Sequence, residues 1–418
     1  MRNTLLAVAA LAAPITLAQP ALAATGDPVK LGGGFSIDPI VEARLRYEHV
    51  DQPTTDADAI TIRMRAGFEL KHAPSKLSFL AEGEGTLAIA DKYNAFPFVI
   101  ADTQRRPGYS VVADPMNVEL NRLQVQYKSK AVTVTVGRQR INLDDQRWIG
   151  SVGWRQNEQT FDAVRGEAKI GAVSLDGIYA IAQRTVFGVD GGPRAAYEGH
   201  FFAGGVSAKF GPVTVKAFSY LLDYDLAEQG GSQAVALADT QTYGVRAVAV
   251  FPLSKAVKLN LAASYAKQAD WKQNPINYSA DYIAAEAGLT WNGLTVSGGY
   301  ELKGSDGGRA VQTPMATLHK FDGWADLFLT TPNTGLQDIY GTIAYKFGKV
   351  IALPGLNAAV SYHRFDSDVG SIHFGNEWDA SLGFKVKRVA LLAKYANYDA
   401  KGFGLDTKKF WLQAEIAY

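Results

Sequence analysis

Apolar and polar residues alternate with period two along much of this chain, and no other feature constrains the fold as strongly. From Ile60 to Lys71 the even positions are Ile60, Ile62, Met64, Ala66, Phe68 and Leu70. The odd positions are Thr61, Arg63, Arg65, Gly67, Glu69 and Lys71. Successive side chains of a strand point to opposite faces, so this segment has one apolar face and one charged face. The pattern recurs in Val41/Ala43/Leu45/Tyr47 against Glu42/Arg44/Arg46/Glu48 and in Trp378/Ala380/Leu382/Phe384 against Glu377/Asp379/Ser381/Gly383. It is less clean from Phe410 to Tyr418. About eighteen segments follow it, centred near Leu45, Met64, Gly83, Leu123, Val134, Val164, Leu175, Val206, Val215, Val245, Leu261, Ala287, Val296, Gly341, Val360, Leu382, Ala393 and Leu412. Several central ones are rich in Ala and Gly.

The connections between segments alternate between short and long. Short ones include Ala73-Pro74-Ser75, Ser129-Lys130, Gly171-Ala172, Gly211-Pro212, Asn292-Gly293 and Lys387-Arg388. Long ones include Asp51 to Asp58, Asp91 to Asn117, Leu143 to Gln159, Arg184 to His200, Asp225 to Gln241 and Gly304 to Gly335. This is the signature of an all-β, transmembrane, antiparallel up-and-down barrel with short periplasmic turns and long extracellular loops. An even strand number puts both chain ends in the periplasm. The last strand ends on an aromatic, Tyr418, as strands read by the barrel-assembly machinery do. A secreted propeller or β-helix would alternate too, but no repeat of fixed period is present.

Met1 to Ala23 reads as a secretory signal peptide, with Arg2, an apolar run and the small-residue site Ala21-Leu22-Ala23. The expected barrel domain is 24–418, in the outer membrane of a Gram-negative cell. Its partners there are outer-membrane lipid and lipopolysaccharide, and on the way there periplasmic chaperones and the assembly machinery. No cysteine is present, which excludes a disulfide scaffold, a cysteine zinc site and a thiol enzyme. With 42 Lys+Arg against 41 Asp+Glu the net charge is +1, which argues against a nucleic-acid binder. The mean hydropathy of −0.06 averages an apolar lipid face with a charged lumen.

An arginine on the lipid face near the midplane costs roughly 2–4 kcal/mol, so Arg63 and Arg65 must point inward. That phase places Arg44, Arg46, Arg63, Arg65, Arg122 and Arg165 in the lumen, interleaved with Glu42, Glu48, Glu69, Glu82, Glu84 and Glu167. In the fifth strand Val132, Val134 and Val136 share a phase with Arg138 and Arg140. Either a bulge after Gly137 turns these arginines inward or the strand has left the membrane there. Guanidinium groups stay charged and bind carboxylates bidentately, so a charged arc of this kind can enrich anions at a constriction. It can equally be an ion-pair network that stiffens the wall. Two long connections are unusually apolar: Asp91 to Asn117, with Phe96, Phe98 and Ile100, and Gly304 to Gly335, with Met315, Phe321, Trp324 and Phe328. Each could fold inward, cover the mouth, or pack on another loop.

Signs of catalysis are weak. The six histidines form no H-E-x-x-H pair and no G-x-S-x-G occurs. Asp366-Ser367-Asp368 departs from a calcium loop at Gly370. Ser361 and His363 share an inward phase, but two polar residues on one strand make no triad. No enzyme, cofactor or metal site is expected.

Several longer stretches resemble the alginate-export family of outer-membrane porins. They are TIRMRAGFEL, AEGEGTLAIADKYNAFPF, DTQRRPGYSVVADPMNVELNRLQVQY, GRQRINLDDQRWIGSVGWRQNEQTFDAVR and TPMATLHKFDGWADLFLTTPNTGLQDIY, within about Arg44 to Tyr345. The resemblance implies a monomeric eighteen-stranded barrel whose arginine-rich lumen conducts an anionic polyuronate. The matching pore-lining residues are Arg44, Arg46, Arg63, Arg65, Arg122, Arg138, Arg140 and Arg165, with Glu82 and Glu84 as partners. The expected function is a passive, anion-preferring channel for carboxylated saccharides. The alternative is a general uptake porin for small organic acids or neutral oligosaccharides. The short periplasmic turns leave any gating to the extracellular loops.

Overall fold

The computed structural model describes residues 28–225, 238–348, 350 and 353–417. The expected leader Met1–Ala23 and the terminal Tyr418 lie outside the described residues. Eighteen antiparallel strands form the wall. They are β1 (Phe35–Asp51), β2 (Asp56–His72), β3 (Leu77–Lys92), β4 (Asn117–Lys128), β5 (Val132–Gln139), β6 (Thr160–Ile170), β7 (Val173–Arg184), β8 (Ala196–Phe210) and β9 (Val213–Tyr224). The second half is β10 (Thr240–Pro252), β11 (Val257–Asp270), β12 (Ser279–Trp291), β13 (Leu294–Lys303), β14 (Leu336–Lys346), β15 (Asn357–Asp366), β16 (His373–Val386), β17 (Val389–Ala400) and β18 (Thr407–Ala417). Every expected centre falls inside one of them.

Each strand pairs with its sequence neighbours, and β18 returns to β1 in a register running from Glu42↔Ala417 to Asp51↔Lys408. This closes the sheet. Closure is required in hydrocarbon, where an edge strand would leave its amides and carbonyls without partners. The alternation sorts residues as expected: Met64 is 57% exposed on the outer face, while its neighbour Arg63 is 0% exposed. Outward aromatics gather at the turn side, among them Phe68 against Phe79 and Tyr345 against Phe347, and at the loop side, such as Tyr362 against Trp378. These are the two interfacial girdles of a membrane barrel.

One expectation about the connections needs correction. The segment after β1 is not a long loop. The ladder continues to Asp51↔Asp56, and Gln52 N–H bonds to the Thr55 carbonyl, leaving a tight turn at 52–55. The cause is that Asp51, Asp56 and Asp58 are simply strand residues that have risen above the lipid. The N-terminal residues Val29–Gly32 also form a short strand, which doubles back on Phe35–Ile37.

The lumen is largely filled by chain. The segment 304–335 folds inward, and so does 140–159, whose inward course the alternation did not reveal. Ile141, Leu143, Ile149, Val311 and Met315 from these two segments pack on Phe161, Phe201, Phe218, Tyr220 and Tyr282 of the wall. Trp154 and Phe328 join Phe365, Phe374, Tyr398 and Trp411 on the other side. The segment 93–116 instead packs against the extracellular ends of β1 to β3, where Tyr93, Phe96 and Val112 meet Val50, Ala57 and Ala59.

Candidate functional site

The arginines of the first strands are brought together, but as the seat of the segment 140–159 rather than as an open lining. Arg44 Nη1 donates to the carbonyls of Gly153, Trp154 and Arg155 at 3.0, 3.2 and 3.1 Å, and its Nη2 donates to Glu415 at 2.9 Å. Arg46 donates to the Trp154 carbonyl and to Gln413, and pairs with Asp114 at 3.4 Å. Arg63 bridges Glu415 at 2.9 Å and Glu42 at 3.3 Å. Arg65 pairs with Glu84, with Glu42 and, at 3.4 Å, with Glu158 of the infolded segment. These four guanidinium side chains are at most 5% exposed, so solute does not reach them in this conformation. A buried cation needs partners that offset its desolvation, and the segment supplies them through carbonyls and Glu158.

Glu82 accepts a bidentate contact from Arg122 at 2.8 and 2.6 Å and a further one from Arg140 at 3.1 Å. Arg140 also pairs with Glu158. Burial alone would raise the Glu158 carboxyl, but Arg140 and Arg65 outweigh it and hold the group at about 2. Arg165 lies nearer the turns, paired with Glu167 at 3.0 Å and Asp176 at 2.5 Å. Arg138 departs from the expected set. It stands opposite Asp162, in the same phase as the outward pair Val136↔Val164, so it faces away from the lumen. Gly137 takes φ 117 there, but the register runs on unshifted and Arg138 binds Asp162 at 2.7 Å. No bulge turns it inward.

The segment 304–335 is latched by two carboxylates. Asp322 accepts from Lys303 at 2.7 Å and from Arg147 at 3.1 Å, and Arg147 also pairs with Glu301 at 2.7 Å. Asp326 accepts from Arg155 at 2.7 Å, Lys409 at 3.2 Å and His319 Nδ1 at 2.8 Å. Lys394 Nζ donates to His319 Nε2 at 2.7 Å, which makes the imidazole the neutral Nδ1–H form. Burial, together with Lys394 and Arg155, keeps His319 well below its ordinary value, although Asp326 opposes this. Lys394 also sits 4.0 Å from the Trp154 ring centre and 3.6 Å from that of Trp324.

Beside these segments an open cavity of about 530 Å³ remains in the lumen. Asp145, Lys320, Phe321 and Trp324 line it from the segments, and Arg246, Glu286, Tyr340, His363 and Lys394 line it from the wall. Arg246 pairs with Asp145 at 2.8 Å, and Tyr340 donates to Glu286 at 2.8 Å. Arg246, Glu286, Tyr340 and Lys394 escaped the sequence reading because β10 to β17 carry isolated charges among Ala and Gly, and only the barrel brings them to one place. Ser361 bonds Thr342 and His363 bonds Asp338, so the two do not form a catalytic pair. Among the described residues no group of three or more His, Cys, Asp or Glu is arranged to hold a metal ion.

Comparison with known proteins agrees with this architecture. OccK1 (OpdK) of Pseudomonas aeruginosa superposes with a TM-score of 0.70 at 14% identity, covering 91% of this chain and 98% of that one. OpdK of the same organism, crystallised with vanillate, gives 0.69 at 14% identity over 91% and 98%. OccAB3 of Acinetobacter baumannii gives 0.65 at 15% identity over 91% and 100%. At such identities the likeness shows the fold alone. No curated protein sequence gives a significant match. The alginate-export family model matches residues 47–302, more than half of the chain. With a closed eighteen-stranded wall and this family match, the chain belongs to the alginate-export family and is a porin of the Gram-negative outer membrane.

Proposed function

We propose that this porin is a passive, anion-preferring channel for carboxylated saccharides. One observation carries the reading. Lys128, Lys169, Lys209, Lys258 and Lys346 stand at the turn-side ends of β4, β6, β8, β11 and β14, all in the inward phase and all exposed. Across the ladder they face Thr133, Ser174, Thr214, Thr290 and Asn357. Opposite charges commonly pair across strands, yet none of these five makes an ion pair among the described residues. Lys71 shares the phase but is matched by Asp38 and Glu69. The buried arginines are neutralised, whereas this periplasmic mouth is not.

The magnitude follows from barrel geometry. Eighteen strands about 4.8 Å apart and tilted by about 40° give a radius of about 18 Å, so a lysine ammonium lies about 12 Å from the axis. Each contributes about 0.35 kcal/mol there in water, and screening at 0.1 M leaves about 0.5 kcal/mol from five. That enriches anions about two-fold at the mouth.

A second reading, uptake of small organic acids, is supported by the cavity of about 530 Å³, which suits a small solute better than a polymer. Vanillate, seen with OpdK, is a small acid. The reversal potential in planar bilayers under a potassium chloride gradient tests the main reading. Chloride preference is expected, and replacing the five lysines by glutamate should reverse it. Cation preference in the wild type would overturn it. Liposome uptake of galacturonate against galactose then tests the solute class.

A further inference from the structure

Lys394 of β17 is held in an uncommon way for a buried lysine. Its Nζ donates to the neutral His319 Nε2 at 2.7 Å. It lies 3.6 Å from the ring centre of Trp324, 4.0 Å from that of Trp154 and 5.4 Å from that of Trp411. Among the described residues it makes no ion pair, whereas Lys303 and Lys409, buried in the same lumen, hold Asp322 at 2.7 Å and Asp326 at 3.2 Å. A carboxylate is nevertheless close. Asp379 of β16 is buried, and neither of its oxygens has a hydrogen-bond partner. The ladder sets Lys394 opposite Ser381 and Asp379 opposite Ala396, so the two are diagonal neighbours on the inward face, a separation that a long side chain spans. His363 Nε2 stands 3.9 Å from Asp379, and Glu377 beside it takes the Ala325 N–H at 2.7 Å.

The lysine therefore has two seats, one filled and one empty. The filled seat is an aromatic cage, an arrangement that recognises quaternary ammonium groups through the negative faces of its rings. One acceptor for three N–H groups serves a primary ammonium poorly, whereas a quaternary ammonium has none to satisfy. Trp154, His319, Trp324 and Lys394 border the cavity of about 530 Å³, so the cage adjoins the open lumen. A trimethylammonium group is wider than an ammonium, and the rings must part to admit it. Trp154 and Trp324 are carried by the segments 140–159 and 304–335 rather than by wall strands, and the cavity beside them gives room.

We propose that the cage of Trp154, Trp324 and Trp411 binds the quaternary ammonium group of a small solute, with Lys394 as its occupant when the solute is absent and seated on Asp379 when the solute is bound. The cage holds one positive charge in either state, and the displaced ammonium gains a carboxylate. This goes beyond the anion-preferring reading and does not depend on it.

Isothermal titration of the refolded barrel tests the proposal, with choline as probe. The control is dimethylbutanol, the uncharged analogue with carbon in place of nitrogen. Choline should bind the wild type saturably, and the analogue should bind about ten-fold more weakly. Lys394→Ala removes the internal competitor and should bind choline about ten-fold more tightly. Lys394→Gln keeps most of the side chain, should shift the affinity the same way, and decides the matter if the alanine variant does not fold. Adding Trp324→Leu to either should abolish binding, and Asp379→Asn, which removes the second seat, should weaken binding to the wild-type lysine. Heat-modifiable migration establishes that each barrel is folded. No choline binding, equal binding of choline and its analogue, binding that survives the loss of Trp324, or an affinity unmoved by Asp379→Asn would overturn the proposal. Cation preference in bilayers would refute the anion-preferring reading and leave the cage standing.

Discussion

Replacing Asp322 by alanine should release the segment 304–335 from the lumen. Asp322 is one of the two carboxylates that fasten this segment, and its side chain, with those of Lys303 and Arg147, is at most 3% exposed. Removing it strips Lys303 of its carboxylate partner at 2.7 Å and leaves Arg147 with Glu301 as its remaining carboxylate. Breaking a buried ion pair from one side costs about 3–5 kcal/mol, because the remaining cation keeps its desolvation penalty. The strand ladders do not depend on the segment, so the cost falls on the infolded conformation rather than on the wall. At 1.4 kcal/mol per tenfold, the population with the segment displaced should rise by about 10² to about 4 × 10³-fold. The second latch, Asp326, remains and limits the effect to more frequent openings. Single-channel recording reads this as a higher open probability or a new, larger conductance level. Asp322→Asn keeps the shape, loses the charge and should behave similarly but more weakly. Heat-modifiable migration establishes that each variant is folded. A folded Asp322→Ala barrel with unchanged conductance and gating would refute the idea that this carboxylate holds the occlusion.

Two further outcomes are expected. His319 is kept neutral inside the lumen, so a displaced segment binds a proton more readily than an infolded one, and the infolded state should lose stability as the pH falls below about 6.5. Glu158, held at about 2, adds stability that is complete above its ordinary value and is lost only as the pH falls from about 4.5 towards 2. Conductance should therefore begin to rise just below pH 6.5, and His319→Phe should move the onset below about 4.5; an unmoved onset would exclude His319 as its source. Gly137 has φ 117, and a Cβ there would collide with the Leu123 carbonyl oxygen. Gly137→Val should cost about 1–3 kcal/mol and lower the urea midpoint of the refolded barrel, whereas Gly166→Val, which has open space around it, should not. Equal midpoints would show that β5 tolerates a side chain there.

Much of this protein was legible in its sequence because a membrane strand obeys one rule throughout its length. Arg63 could not face lipid and Met64 had no reason to face the lumen, so strand number, register phase and loop side followed from alternation alone. The same rule gave the inward placement of Arg44, Arg46, Arg65, Arg122 and Arg165. It failed at Arg138, where a choice between a bulge and an emerging strand depends on the partner strand, and the unshifted pairing with Asp162 decided it.

What alternation could not supply was the content of the lumen. Segments 140–159 and 304–335 carry no strand alternation to read, and their course is set by partners distant in sequence, as Arg44 holds the Trp154 carbonyl 110 residues away and Lys394 holds His319 75 residues away. Sequence thus determined the wall, because lipid judges each residue separately by its face. Tertiary structure alone decided that the arginines seat a segment instead of lining an open pore, because a buried cation is governed by whichever carbonyls and carboxylates the folded chain brings to it.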